Sequence, residues 1–496
     1  MKIHPRILSL RLLITSCILC AEAPFQPYWP RERYQAQSFL FTRPIFENIV
    51  AQQALWHSII YNKQCSRCQG LQITPLYQYA CGTHKNKYYW LFDCKTDLLF
   101  SGDDNINDLN IRDVRAEWFQ LPSSFRGQMT FNPVEHQAGV CIEYHRDLGH
   151  CCEVDCLDNC WLSVELPIVY VKNDIGLTQW NMQHEGTVYP STIAQSFCNP
   201  EWKFLKVCGA KHIVQPAFLN LRLGKTYYNK DKFQLLFYLG FSLPTSTSND
   251  GSYMFYPVAG YNGHFGFIAG VHTQILLTRD DSSPYSVCFF AALENLFLVP
   301  ASQYRTFDLL CKPWSRYLLY VKKHSLPQAF VPGVNILTRN VRVEPYTLVD
   351  FACGWRVITN HWEFELGYGI WGHGDEKIEL KCGAKCPPDN EYGIAGIPPL
   401  GYNEAVTASG STIQSQAPYD HDEQGHPVFV PITESQLDLL SAASRSALNH
   451  KIFASIGHVD TGRIEYLYGV GVYIEVPQWR TSLQSWGVWA KFGLVF

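Results

Sequence analysis

Two short stretches carry side chains of the kind that do acid–base or metal chemistry. YDHDEQGH at 419–426 brings together His421, Asp422, Glu423 and His426, and GHGDE at 372–376 brings together His373, Asp375 and Glu376. Such groups move protons or bind a divalent cation when they converge within hydrogen-bond reach. Loops also collect them simply for solvation, and a solvated polar loop accounts for both stretches with fewer assumptions. No G-x-S-x-G elbow, phosphate loop or dinucleotide fingerprint accompanies them. The reading is therefore no enzyme, no catalytic residue and no cofactor.

Cysteine is the other reactive side chain in quantity. The chain has 18, with clusters at Cys65 and Cys68, at Cys151, Cys152, Cys156 and Cys160, and at Cys382 and Cys386. Cys65 and Cys68 with Cys81 and His84 would suit zinc. Thiols exported through an oxidising space pair with one another instead, so disulfides are expected and a metal is not. Stapling of loops within the chain is the plain use. Bonds to neighbouring envelope proteins are the other.

Export follows from the first residues. MKIHPRILSLRLLITSCILCAEA places Lys2, Arg6 and Arg11 ahead of an apolar stretch, then Ala21-Glu22-Ala23 as a small-x-small cleavage site. This is the pattern of a signal peptide over 1–23. No later segment approaches the roughly 18 apolar residues of a membrane helix. A net charge of −4 gives no reason to expect nucleic acid as a partner. Aromatic residues make up 14% and charged ones only 17%, so apolar surface is spread thinly through the chain.

The elements that must hold these residues are strands. SWGVWAKFGLVF, the last dozen residues, puts Trp486, Val488, Ala490, Phe492, Leu494 and Phe496 on one face. HWEFELGYGI puts Trp362, Phe364, Leu366, Tyr368 and Ile370 on one face, with Glu363 and Glu365 opposite. RIEYLYGVGVYIEV repeats the pattern from Ile464 to Val476, with Glu465, Tyr473 and Glu475 opposite, and KFQLLFYLGFSL repeats it from Phe233 to Leu243. Successive strand side chains point to opposite faces. One face is wholly apolar over lengths a half-buried soluble strand does not need, and the other is polar or small. That is the weak hydropathy signal of a closed transmembrane barrel.

The ending resembles the terminal strand of Gram-negative outer-membrane β-barrel proteins of the porin-like kind. In that family a C-terminal Phe behind alternating apolar residues is the barrel-assembly signal, here Ala490, Phe492, Leu494 and Phe496. The abundance of cysteine is similar to that of the cysteine-rich major outer-membrane proteins of chlamydia-type bacteria. The resemblance implies a cell outer-membrane location, outer-membrane lipid and the barrel-assembly machinery as partners, and a last residue on the periplasmic side. Homo-oligomers occur in the family as well.

With the last residue so placed, the connections at 459–463, 358–360, 279–284 and 225–231 fall on the periplasmic side and are short. Those near 172–212, 244–263, 299–347 and 371–450 fall outside and are long. This asymmetry is the one barrels have. The fold expected is an all-β transmembrane antiparallel barrel over 70–496, with about 14 strands in a range of about 12–18. Residues 94–123 read as a strand pair or a periplasmic excursion. Residues 24–69 form an N-terminal segment in which FENIVAQQALWHSII has helical spacing. Its plainest place is a lead-in on the barrel rim, with a plug in the lumen as the alternative. In the long outer loop 371–450, Thr433 and Gln436 have capping-box spacing ahead of Leu437, Leu440, Ala443, Ala447 and Leu448, predicting a helix of roughly four turns.

Inward positions would write the function of a channel. The candidates are Arg222, Arg356, Glu363, Glu365, Glu465, Glu475 and Lys491. Their mixed signs predict weak ion selectivity, unless they merely pair across neighbouring strands. Three functions follow: a porin for small hydrophilic solutes, a structural or adhesive envelope protein anchored by its barrel, and a transporter of apolar solutes suggested by inward Tyr473 and Trp489.

Overall fold

The computed structural model describes residues 36–55, 69–83, 86–149, 157–183, 189–229, 233–278, 285–359, 361–381, 390–460 and 464–496. The expected signal peptide at 1–23, Cys65, Cys68, His84, Cys151, Cys152, Cys156, Cys382 and Cys386 lie outside them. Twelve strands close into a ring. They are β1 (Gln69–Cys81), β2 (Val134–Asp147), β3 (Cys160–Asp174), β4 (Phe218–Asn229), β5 (Phe233–Pro244) and β6 (Gly266–Thr278). The second half is β7 (Tyr285–Leu298), β8 (Leu348–Thr359), β9 (Trp362–His373), β10 (Ala447–Asp460), β11 (Glu465–Pro477) and β12 (Gln484–Val495). Each is antiparallel to the next in the chain, and β12 closes on β1 from Gly70 opposite Val495 to Cys81 opposite Gln484. The count is twelve rather than about fourteen, because segments expected to add wall strands pair among themselves outside it.

The period-two stripes do what their chemistry requires. On β11, Leu467 and Tyr473 point inward and are buried, while Tyr468, Val470, Val472 and Ile474 point outward and are exposed. On β12 the assembly-signal residues Ala490, Phe492, Leu494 and Phe496 face outward with Trp486 and Val488, and the Gln69 N–H donates to the Phe496 carbonyl at 3.1 Å. A ring leaves no strand edge unpaired, so the wall can meet hydrocarbon everywhere. No helix among the described residues is long and apolar enough to cross a membrane; the strands cross instead.

One end of the barrel carries only short connections, at 148–159, 230–232, 279–284, 360–361 and 461–464. The other end carries the segments 82–133, 175–217, 245–265, 299–347 and 374–446, and only 478–483 is short there. These outer segments fold together into a cap. One sheet joins Val114–Arg115, Leu98–Ser101, Arg126–Phe131 and Leu177–Gln183, and another joins Ala301–Thr306, Thr338–Glu344 and Lys377–Glu379. Phe119, Phe197, Trp202, Trp314 and Tyr317 pack ring against ring at the centre of a continuous apolar core. Cys198–Cys208 staples it.

Residues 94–123 hold a strand pair, one of their two readings: Leu98–Ser101 lies beside Val114–Arg115 in the cap. Two expectations need correction. The four-turn helix after Thr433 does not form. Its capping box is present, but it closes a single 3-10 turn at Glu434–Gln436, after which Leu437–Asp438 pairs with Asp308–Leu309. Tertiary pairing outweighs a local helix signal that is weak on its own. In the N-terminal segment, only Ile49–Gln53 among the described residues is helical, and it lies in the lumen rather than on the rim.

Candidate functional site: the lumen and its strap

The site begins with a piece of chain that crosses the barrel interior. Residues 36–40 are built into the cap: the Arg316 guanidinium donates to the Ala36 carbonyl at 2.6 Å, Gln37 N–H to Tyr89 O at 2.8 Å and Ser38 N–H to Ser441 O at 2.9 Å. From there the chain descends as a strap. Thr42 Oγ1 donates to Glu135 of β2 at 2.9 Å, and Ile45 N–H donates to the Gln137 side chain at 2.9 Å. Leu55 ends the descent among Val459, Leu467 and Val495, at the short-turn end. Gly457 makes room for it, since a Cβ there would stand 2.2 Å from Leu55 Cδ2.

Arg43 is the anchor. It is buried, and its guanidinium meets Glu475 of β11, Asp350 of β8 at 3.1 Å and the strap's own Glu47 carbonyl, with Nε at 2.7 Å. Asp350 also accepts from Ile49 N–H at 2.9 Å, which ties the short helix to the wall. Lys451 of β10 stands 3.6 Å from Asp350 and donates to Asn48 Oδ1 at 3.2 Å. Lower down, Lys491 of β12 donates to the carbonyls of Gln52 at 2.6 Å and Ala54 at 2.9 Å, near the end of the short helix. The Gln52 amide in turn reaches Glu165 of β3 at 3.1 Å. Buried charges are stable only when paired and hydrogen-bonded, and here the strap supplies partners to six strands.

Two further inward arginines pair across the wall. Arg222 meets Glu165 at 2.5 Å and Glu294 at 3.4 Å, and Tyr238 O–H donates to Glu294 at 2.7 Å. Arg356 meets Glu363 at 2.9 Å and Glu365 at 2.5 Å and donates to Gln274 at 2.6 Å. All seven residues singled out as inward (Arg222, Arg356, Glu363, Glu365, Glu465, Glu475 and Lys491) point into the barrel, and all are buried. Tyr473 and Trp489 are inward and buried too, and the Tyr473 hydroxyl is engaged by Gln78 at 2.6 Å. Sequence parity alone could have added Glu165, Asp350 and Lys451, which share the same inward alternation. Arg43 carries no such signal, because its partner Glu475 is 432 positions away.

The acid and histidine clusters of the sequence serve local structure. Asp422 accepts from His426 N–H at 2.7 Å in an exposed turn. Asp375 accepts from Ser446 N–H at 2.6 Å, and Glu376 accepts from Ser444 N–H at 2.7 Å and Arg305 at 3.1 Å. Of the cysteines, Cys160 opens β3, and the bond formed among the described residues, Cys198–Cys208, joins two that had not been singled out.

A closed meander with an apolar exterior and an asymmetric pair of ends is a transmembrane β-barrel. No protein-family model and no curated protein matches the chain. Among solved structures, the transport unit of the autotransporter AIDA-I from Escherichia coli aligns with TM-score 0.30 at 8% identity, covering 92% of this chain and 99% of that one. The toluene transporter TbuX from Ralstonia pickettii aligns with TM-score 0.29 at 9% identity, covering 95% and 98%. A Pseudomonas aeruginosa FadL homologue aligns with TM-score 0.26 at 8% identity, covering 86% and 89%. At such scores the class rests on the chain's own ring of strands and not on the likeness.

Proposed function

We propose that the protein is a surface-anchored envelope protein that works through its cap, with a lumen shut by its own N-terminal strap. The observation that carries this reading is the Arg43 anchor. An arginine bound at once to β8, β11 and the strap's own backbone fixes the strap inside the barrel. The cap supports it from above, since residues 36–40 belong to the cap and cannot leave without disturbing it. The clusters around His421 and His373 hold turns, and we assign the protein no catalysis.

Conductance of the refolded chain in a planar bilayer tests this. The intact protein is expected to be silent, and a variant lacking 36–55 is expected to open in stable steps. Stepwise conductance from the intact protein would make it a diffusion porin. In that case reversing Glu363 and Glu365 to lysine should move the reversal potential. Silence from both proteins, with uptake of an apolar solute by cells that make them, would favour transport along another route.

A further inference from the structure

The wall is uneven at its outer rim. On β3, the outward residues continue past Ile168 to Tyr170 and Lys172, and there the neighbour is no longer β4 but the short strand Lys211–Pro216. The register sets Ile168 opposite Pro216, Tyr170 opposite Val214 and Lys172 opposite His212. On the other side of β3, Val140 of β2 lies opposite Ile168, and His136 lies opposite Lys172. Three adjacent strands thus present one outward rung, His136–Lys172–His212, above an outward apolar face. That face is bare: Val214 is 64% exposed, Ile168 46% and Val140 39%. It continues without a break into the apolar stripe of β3 that faces hydrocarbon lower down.

We infer that this rung is a docking site for an anionic lipid of the outer leaflet, one that carries phosphate monoesters. Acyl chains would lie on Ile168, Tyr170, Val140 and Val214, and the phosphate would sit against Lys172 between the two imidazoles. The chemistry fits the level. Aromatic residues mark a barrel's interface with water, and here Trp486 packs 5.7 Å from Tyr77 and 6.1 Å from Tyr79, whose ring stands 5.0 Å from His136. A lysine at that height lays its stem on apolar surface and its ammonium among head groups. His136 is already oriented, with its Nδ1 bonded to the Tyr77 hydroxyl at 3.0 Å, and its other ring nitrogen is available to the phosphate. The nearby acid, outward Asp174, accepts from Gly176 N–H at 2.8 Å in the turn above. Lys211 points to the other face, its ammonium 4.2 Å from the Tyr253 ring, and is not part of the rung. Among the described residues, the other outward lysine and arginine side chains on the wall, Lys225 and Arg146, lie toward the short-turn end of β4 and β2, and outward His450 at the outer end of β10 is engaged by Tyr368 and Gln478.

Native mass spectrometry of the full refolded chain tests the site, with bisphosphorylated lipid A or phosphatidylcholine as the added lipid. The intact protein is expected to retain lipid A preferentially. Lys172→Glu should lower that retention about tenfold or more, the size of one charge-assisted contact, while Lys172→Arg keeps it. Joint replacement of His136 and His212 by glutamine should lower it by a smaller factor. Heat-modifiable migration on gels establishes that each variant is folded. Equal retention of the two lipids by the intact protein, or equal retention of lipid A by the intact protein and folded Lys172→Glu, would overturn the assignment.

Discussion

The lumen and the cap are both buried, and they are built from opposite materials. In the lumen, Arg43, Arg222, Arg356 and Lys451 are matched to carboxylates, and Lys491 to carbonyls of the strap. In the cap, Phe119, Trp202, Trp314 and Tyr317 make a continuous apolar core, with buried charges such as Arg112, Arg305 and Arg316 set around it. The difference follows from what surrounds each part. A barrel strand must give one face to lipid, and that face takes the apolar residues. Its other face is left polar and is stabilised by pairing. The cap stands in water and follows the usual rule, apolar inside. Arg316 with Asp308 at 2.5 Å and Arg305 with Glu376 at 3.1 Å depart from that rule, as ion pairs buried in the cap near the start of the strap. One molecule therefore shows two solutions to burial, joined by a strap that belongs to both.

The contrast can be broken most directly at Arg43. Replacing it with alanine leaves Asp350 and Glu475 without that partner inside the barrel. Loss of one member of a buried pair costs about 3–5 kcal/mol, so the strap should loosen while the wall survives. Protease cleavage between 36 and 55, and conductance of the refolded variant, are the readouts. Strap protection equal to that of the intact protein would mean that the cap alone holds it.

The cap should fail independently of the wall. Replacing both Cys198 and Cys208 with serine removes a cross-link that spans a sequence separation of 10. The expected loss is about 2–3 kcal/mol of cap stability. Limited proteolysis should then release cap fragments, while heat-modifiable migration still reports a folded barrel. Loss of both together would show the two regions to be one cooperative unit.

A smaller effect separates the two regions by pH. Burial, and then the negative charge of Asp308, push the Asp438 carboxyl in the cap up to about 6. The folded cap holds that proton more tightly than the unfolded chain. This contribution to stability is therefore fully present below the ordinary carboxylate pKa and is lost as pH rises through about 6. Asp438→Asn should flatten the decline of cap stability with rising pH in that window, as read by thermal unfolding of the cap. An unchanged slope would place the titrating group elsewhere.

Much of this was legible in the chain. Alternation along 362–370, 464–476 and 484–496 states which residues meet lipid, because side-chain period in a strand is a local property of the backbone. Inward Glu363, Glu365 and Lys491 follow from the same parity, and the short and long connections follow from where the stripes stop. A sequence signal failed where a segment's fate depends on distant partners. The capping box at Thr433 forms, yet the helix after it gives way to pairing with Asp308–Leu309. The loops between 82 and 446 show no common period, so nothing local announces that they share one core.

The sequence by itself determined a barrel and the direction of the wall residues along its clearest stripes. Those are set by period and by the chain's own order along a meander. Only the tertiary structure decided that the lumen is filled, that Arg43 holds the filling, and that the outer loops are a domain. Each of those depends on contacts between residues hundreds of positions apart, such as Ser38 with Thr306 and Arg43 with Asp350. Such contacts leave no local trace, because their free energy comes from ring closure and packing that no single segment contains.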